Sequence, residues 1–320
     1  MAFAHNLKLG IDLPIWQWLR FSPVMTSAGM CMCTDERGTG RYIYLLLGTA
    51  AFYRYDTVTD NYQLLASPGA LGGSGTWGAG SCMVFDPSQG AAGRIWLLNG
   101  YTTQCGFGYY DIATNVWTAR SITNLAAIIN TDAAMAHTCS TYNVAGNDDF
   151  IYLISAGVST TWYRYSIAGN SWVASPTSIA NLPTAVSAGC SLHWTYATSP
   201  DILFLVNGGA SGTLRKYTIS TNSWTAALAY VPSSETFTTG TSAIYDPKRD
   251  RIWLQKDATH RILYYDLATD TMLVGPNIPY TSGMAHVGNG LVYIKTADEA
   301  EYLYYRRQVG TEFWRTLIFF

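Results

Sequence analysis

The residues best suited to chemistry are the histidines, and two of them share a local sequence. His137 and His286 each follow Met-Ala, and Cys139 lies two residues beyond the first of them. Imidazole and thiolate groups are the usual protein ligands of zinc. None of the five histidines shows metal-ligand spacing, however, so we predict no metal site and no cofactor. The other three histidines are His5, His193 and His260.

Four of the six cysteines recur at one position of an internal repeat, within stretches of small residues. They are Cys31, Cys82, Cys139 and Cys190. Recurrence at one structural position indicates a size requirement, so we predict free thiols in small buried slots, made in a reducing compartment. Cys105 breaks the register, and we expect it in a loop as the better thiol to label.

The remaining composition argues against several other kinds of site. Charged residues make up 12% of the chain and no carboxylate pair stands out for acid–base chemistry, so we predict a protein that is not an enzyme. The glycine-rich stretch Ser67–Gly80 lacks the Lys-Ser/Thr ending of a phosphate loop. A net charge of −2 gives no electrostatic case for nucleic acid. The chain shows neither a secretory signal pattern nor an apolar run of membrane-spanning length, so we expect no membrane insertion.

One local pattern organises the whole chain. Leu214–Trp224 (LRKYTISTNSW) reads as a strand, a polar turn and the start of a second strand. The pattern occurs six times, at intervals of 42 to 55 residues. Such a period in an all-β composition predicts a propeller with one four-stranded antiparallel sheet per repeat, closed by a terminal strand. The residues that close the six copies are Tyr62, Trp117, Trp172, Trp224, Met272 and Trp314.

Two other strands can be placed in each predicted blade. The innermost strand should begin with small residues, because the inner strands converge on a channel. These stretches are Ser27–Cys31, Gly78–Cys82, Ala134–Cys139, Ser187–Cys190, Thr241–Ala243 and Ser282–His286. The second strand should be a continuous apolar run, buried on both faces by neighbouring blades. These runs are Tyr42–Gly48, Ile95–Gly100, Phe150–Gly157, Ile202–Gly209, Ile252–Gln255 and Leu291–Lys295.

The two ends of the chain compete for the closing position. We divide the chain into an N-terminal segment, residues 1–26, and a six-bladed propeller, residues 27–320. Trp16–Leu19 resembles the outer strand of later repeats, so the N-terminal segment is expected to dock the protein or to close the ring. Phe313–Phe320 is also a strand candidate. We expect one end to close the ring and the other to reach a neighbouring molecule.

The repeat resembles that of a known family. Asn207-Gly208-Gly209 ends an apolar run, and several copies continue with a Tyr-Asp-x-x-Thr turn and a closing Trp. This arrangement resembles the kelch repeat of galactose-oxidase-like propellers. The double glycine occurs only in the fourth copy, and the copper ligands of galactose oxidase do not map onto matching positions. Because kelch propellers include enzymes, adaptors and scaffolds, the resemblance implies a fold and does not select a function.

The chain also resembles a bacteriophage virion protein in its Thr-, Ser-, Gly-, Asn- and Tyr-rich strands and in its aromatic C-terminal tail. We therefore expect a non-catalytic structural or interaction protein of a tail or particle surface, made in the host cytoplasm. Its partners would be other virion proteins, in multiple copies, and a host-surface glycan or receptor. The candidate interaction residues are Trp16, Trp18, Trp77, Tyr101, Phe107, Tyr230, Trp314, Phe319 and Phe320.

Two alternatives remain open. A carbohydrate-binding or carbohydrate-processing propeller would show a concave aromatic face with paired carboxylates, and the sequence shows only the aromatic residues. A cellular kelch adaptor would be expected to carry a partner domain.

Overall fold

The protein is an all-β propeller of six four-stranded antiparallel sheets, in the part of the chain that the structure describes. The computed structural model describes residues 18–21, 29–48, 50–71, 80–100, 105–125, 133–139, 149–155, 159–209, 211–228, 235–238, 241–256, 259–279, 290–306 and 313–318. None of these residues belongs to a helix long and apolar enough to cross a bilayer. The predicted fold class, six-bladed and closed by a terminal strand, is confirmed.

Among the described residues, the strands follow one another along the chain with one short 3-10 helix, Pro68–Leu71. They are β1 (Trp18–Phe21), β2 (Gly29–Thr34), β3 (Tyr42–Leu47), β4 (Phe52–Asp56), β5 (Asn61–Leu64), β6 (Cys82–Asp86), β7 (Arg94–Asn99), β8 (Gly106–Asp111), β9 (Val116–Ala119), β10 (Ala133–Thr138), β11 (Phe150–Ser155), β12 (Tyr163–Ser166), β13 (Ser171–Ala174), β14 (Ser191–Trp194), β15 (Ile202–Val206), β16 (Leu214–Thr218), β17 (Ser223–Trp224), β18 (Ser242–Asp246), β19 (Arg251–Gln255), β20 (Ile262–Asp266), β21 (Thr271–Val274), β22 (Leu291–Lys295), β23 (Glu301–Arg306) and β24 (Phe313–Leu317).

Blades 1 to 5 each use four consecutive strands, β2–β5, β6–β9, β10–β13, β14–β17 and β18–β21. Their second strands are the predicted apolar runs, and these are buried along almost their whole length. Burial on both faces follows from the stacking of one blade on the next. Between blades 1 and 2, for example, the Phe52 ring packs against Tyr110 and Trp117, with centroids 5.1 and 5.0 Å apart.

Blade 6 is built from both ends of the chain. Its order is β22, β23, β24 and then β1, which pairs antiparallel with β24 so that Trp18 lies opposite Thr316 and Phe21 opposite Phe313. The N-terminal segment therefore supplies the outermost strand that closes the ring. The expectation that the other end is free to reach a neighbour is wrong for Phe313–Leu317, because this strand is hydrogen-bonded on both sides.

The strands of blade 6 differ by one position from those predicted. Leu291–Lys295 is the innermost strand, whereas it was predicted to be the second, and the predicted inner stretch Ser282–His286 lies outside the described residues. Trp314 accordingly lies in the third strand, opposite Tyr305, and does not open a fourth. In blades 2 and 4 the small-residue stretches lead into the inner strands, which begin only at Cys82 and Ser191.

The turn between the third and fourth strands carries a repeated hydrogen bond. In blade 3, Tyr165 Oη donates to Asn170 Oδ1 at 2.7 Å, and the backbone N–H of Ser121 in blade 2 donates to the same oxygen at 3.3 Å. Asn170 adopts a positive φ of 47°, which asparagine tolerates better than most residues. The amide thus fixes its own turn and holds the exit loop of the preceding blade. The equivalent acceptors are Asp60, Asn115, Asn222 and Asp270.

Candidate functional site at the axial channel

The inner strands converge on a small axial cavity of about 80 Å³. Met32, Met83 and Met135, from blades 1 to 3, form an apolar layer of its lining. A group of polar and aromatic residues lines another part of it, and they come from β10, β14 and the turn after it, β18 and the loop that follows β2. They are Glu36, Arg37, His137, His193, Trp194, Tyr196 and Tyr245.

Arg37 lies at the centre of this cavity wall and connects four blades. It belongs to blade 1, and its side chain is 5% exposed. Its Nη2 donates to the backbone oxygen of Phe85 in blade 2, and its Nη1 lies 3.4 Å from His137 Nδ1 in blade 3. Its guanidinium carbon lies 5.5 and 5.4 Å from the ring centroids of Trp194 and Tyr196. These are cation–π distances. Both rings belong to blade 4, Trp194 at the end of β14 and Tyr196 in the turn after it.

The loop that carries Arg37 is held by Asp35. The Asp35 carboxylate accepts hydrogen bonds from the backbone N–H of Arg41 at 3.0 Å and of Tyr42 at 2.7 Å, and from the Thr39 hydroxyl. Gly40 has a φ of +63°, and a Cβ atom there would lie 2.2 Å from the backbone oxygen of Lys295 in blade 6. Only glycine fits that approach, so the loop is fixed against blade 6 while Arg37 reaches across the channel.

His137 links Arg37 to a buried carboxylate. Its Nε2 lies 3.3 Å from Asp86 Oδ1, and both side chains are inaccessible to solvent. Because a guanidinium group can only donate, Nδ1 must accept, and the ring proton resides on Nε2 facing Asp86. Burial lowers the pKa of His137 to about 4, although Asp86 opposes the shift. The imidazole is therefore neutral at pH 7.

Burial also shifts the pKa values of the other titratable groups in the cavity wall. It raises the pKa of Glu36, against the opposing charge of Arg37, and it lowers the pKa of His193 to about 3. Burial alone would raise the pKa of Asp86, but His137 and the hydrogen bonds from Ser88 and Trp96 bring it below its ordinary value. Among the described residues, no group of three or more histidine, cysteine or acidic side chains is arranged to hold a metal ion.

A second, open depression of about 370 Å³ lies between blades 5 and 6. Its charged groups neutralise one another. Arg249 contacts both Asp246 and Glu301, and Lys248 Nζ lies 2.5 Å from Glu301 Oε1. These ion pairs join the two blades and occupy the groups that would otherwise attract a ligand.

The outer rim exposes apolar side chains. On β21, the outermost strand of blade 5, Leu273 is 44% and Val274 63% exposed. Blades 1 and 2 show the same feature at Leu64 on β5, at Val116 on β9 and at Val58 in the turn before β5. Each of these residues lies on an outer strand or beside one.

The structure describes only some of the predicted interaction residues. The prediction for Phe107 is wrong: it lies in β8, is fully buried, and stacks on Trp96 with centroids 5.4 Å apart. Trp314 is half-buried in β24, and Trp18 lies in β1. The others lie outside the described residues, and they are Trp16, Trp77, Tyr101, Tyr230, Phe319 and Phe320.

The predictions for the cysteines are correct for the four recurring residues and partly wrong for Cys105. None of the six forms a disulfide and all are buried, as predicted for the four recurring ones. Cys105 does lie in an irregular segment before β8, but it is 1% exposed and is therefore not an accessible thiol. Sequence reasoning missed Arg37 altogether. The only local signal was the Asp-Glu-Arg-Gly-Thr-Gly turn between two strands.

Comparison with known proteins shows the fold. No family model matches the chain, and no curated protein matches it. Among solved structures, it is similar to an auxiliary nutrient binding protein from Bacteroides ovatus, with a TM-score of 0.61 and 11% identity over 94% of this chain and 76% of that one. It is also similar to a luciferin-regenerating enzyme, with a TM-score of 0.56 and 12% identity over 92% of both chains. A second auxiliary nutrient binding protein, from Bacteroides thetaiotaomicron, has a TM-score of 0.57 and 9% identity over 92% of this chain and 69% of that one. Neither a kelch protein nor a virion protein is among these three.

Proposed function

We propose that this chain is a non-catalytic interaction protein, a rigid six-bladed disc that binds protein partners through its rim. The observation that carries the proposal is the exposure of apolar side chains on the outer strands. Val274 and Leu64 are each exposed by more than 60%. Adjacent exposed apolar residues, such as Leu273 and Val274 on β21, mark contact sites, whereas single ones are normal on any surface.

The backbone of the outer strands supports the same function. In the described sheets, β21 pairs with β20 on one side, and its other edge faces outward. Sheet edges are usually protected by charged residues or proline. The sequence of β21, Thr-Met-Leu-Val, contains neither. Such an edge offers hydrogen-bonding groups and apolar contacts to an incoming strand.

The axial channel does not favour a site for a small-molecule substrate or ligand. Arg37 already interacts with Phe85, His137 and two aromatic rings, so its charge is engaged within the chain. The remaining cavity of about 80 Å³ is well below the roughly 300–1,000 Å³ of most small-molecule sites.

The setting we propose is a bacteriophage particle, in the tail or on the surface, where the chain would be present in multiple copies. The low share of charged residues motivates this, and multiple copies would strengthen a weak contact. Mass spectrometry of density-purified particles from the source tests the setting. We expect a fixed ratio to the major capsid protein, and absence from the particles would contradict it.

The rim is tested with Val274→Lys and a matched control, Ala119→Lys, on the outer strand of blade 2. Both positions are exposed, so neither change should lower the melting temperature much. We expect Val274→Lys to reduce incorporation into particles and Ala119→Lys to leave it unchanged. Equal incorporation of both variants would show that β21 is not an interface.

A second candidate function is carbohydrate binding. The chain contains 23 tyrosine and 11 tryptophan residues, and aromatic side chains are common in sites that recognise sugars and other small molecules. Two of the structures that share the fold are named as auxiliary nutrient binding proteins. Glycan-array binding that Val274→Lys leaves unchanged would favour this function over the rim.

A further inference from the structure

We propose that the mouth of the axial channel is a guanidinium-binding site, which the chain's own Arg37 occupies. Arg37 is contacted by groups from three blades other than its own. Those groups are complementary to a guanidinium ion in both charge and shape. A free guanidinium ion would therefore enter the site when the Arg37 side chain is absent.

The contacts distinguish a guanidinium ion from an ammonium ion. The backbone oxygen of Phe85 and Nδ1 of His137 accept from two different nitrogens of the same planar group. Trp194 and Tyr196 present ring faces to it, at 5.5 and 5.4 Å. A planar, weakly hydrated cation with several fixed donors satisfies both kinds of contact, whereas a compact, strongly hydrated ammonium ion does not.

The ion pair with the nearest carboxylate does not by itself account for the placement of Arg37. Glu36 Oε1 lies 3.7 Å from Arg37 Nε, which is beyond hydrogen-bond distance. The guanidinium is nevertheless almost completely buried. Its desolvation must therefore be offset jointly by the charge of Glu36, by the ring faces and by the carbonyl and imidazole acceptors. These groups belong to the walls and remain when Arg37 is removed.

Another arginine of the chain provides the contrast. Arg94 lies over the Tyr109 ring, with its guanidinium carbon 4.0 Å from the centroid, and its Nε lies 3.8 Å from Asp111. Its side chain is 19% exposed, compared with 5% for Arg37. Removal of Arg94 should leave a site open to water, whereas removal of Arg37 should leave an enclosed space with the same groups on its walls.

The site lies beside a partly exposed side chain. The Glu36 side chain, which also lines the cavity, is 18% exposed. A small cation can therefore reach the mouth without unfolding of the ring, and the carboxylate beside the entrance favours its approach.

The test is thermal unfolding of Arg37→Ala in guanidinium chloride, with ammonium and potassium chloride as ionic controls. At about 10 mM, guanidinium should raise the melting temperature of Arg37→Ala by about 2 °C in a saturable manner, since a ligand that binds only the folded state stabilises it. Wild type, in which the site is occupied, and Arg94→Ala should show no saturable rise. Equal rises with ammonium, an equal rise in Arg94→Ala, or no rise in Arg37→Ala would overturn the proposal.

Two further measurements cover the case in which Arg37→Ala does not fold. Arg37→Met retains much of the side-chain volume and vacates only the charged end, and the same titration applies to it. In wild type, NMR of arginine-labelled protein should show hindered rotation of the Arg37 guanidinium about its Nε–Cζ bond. Fast rotation would show that the walls do not hold the group, and the proposal would fail.

Discussion

Acidification should destabilise the protein through its two buried channel histidines. The pKa of His137 is lowered to about 4 and that of His193 to about 3, in both cases chiefly by burial. In the unfolded chain both should return to about 6.5. Between those values the unfolded state binds more protons than the folded state. The free energy of unfolding therefore falls as the pH is lowered through about 6.5, and it continues to fall until the folded-state pKa is reached.

The magnitude at pH 5 depends mainly on the unfolded state. An unfolded histidine there lies about 1.5 pH units below its pKa, while the folded one stays neutral. At about 1.36 kcal/mol per unit, each histidine lowers the free energy of unfolding by about 2 kcal/mol relative to pH 7.5. The pKa values of Asp35 and Glu36 are raised, mainly by burial, and these groups act in the opposite direction at low pH.

A variant separates these contributions. His193→Gln keeps a polar side chain but removes one titration, and it leaves the two carboxyl groups unchanged. The free energy of unfolding of wild type and variant is measured in urea at pH 7.5 and at pH 5.0. The difference between the two proteins should shift by about 2 kcal/mol from pH 7.5 to pH 5.0, in favour of the variant at pH 5.0. Parallel pH dependence of the two proteins would refute the reasoning, because it would mean that His193 titrates equally in the folded and unfolded states.

Three further predictions concern packing, the repeated turn and the thiols. Trp172→Ala should cost about 3–5 kcal/mol in chemical denaturation, because the ring is 1% exposed, and Trp224→Ala should cost less, because that ring is half-buried. Asn170→Ala removes the hydrogen bonds from Tyr165 and Ser121, and should cost about 1–3 kcal/mol by the same measurement. All six cysteines are buried, so a thiol reagent should react slowly with the native protein and count six thiols after unfolding.

The second strands were predictable because burial on both faces requires a continuous run of apolar residues. A run such as Ile202–Val206 has no polar residue to suggest an exposed face. The turn after the third strand was predictable because the polar residues that form it are consecutive in the sequence. Blade 6 was misread because its inner strand, Leu291–Lys295, is itself a buried apolar run and looks like a second strand. Its fourth strand comes from the other end of the chain, where no local repeat could reveal it.

The channel site could not be predicted from spacing. His137 and Trp194 lie 100 residues or more along the chain from Arg37, and only the closure of the ring brings the three together. Each taken alone has an ordinary local context. Phe107 shows the converse error, since its glycine-rich neighbourhood suggested a loop, whereas the strand register places its ring between blades 2 and 3.

The closing strand imposes an order on events during synthesis. β1 leaves the ribosome early, but its partner β24 begins about 290 residues later. At roughly 5–20 residues per second, the first strand waits about 15–60 s for the strand that it pairs with. Blades 1 to 5 can form within that time, because each uses consecutive strands. The nascent protein therefore passes through an open arc of five blades, whose two end faces are apolar and which chaperones would be expected to bind.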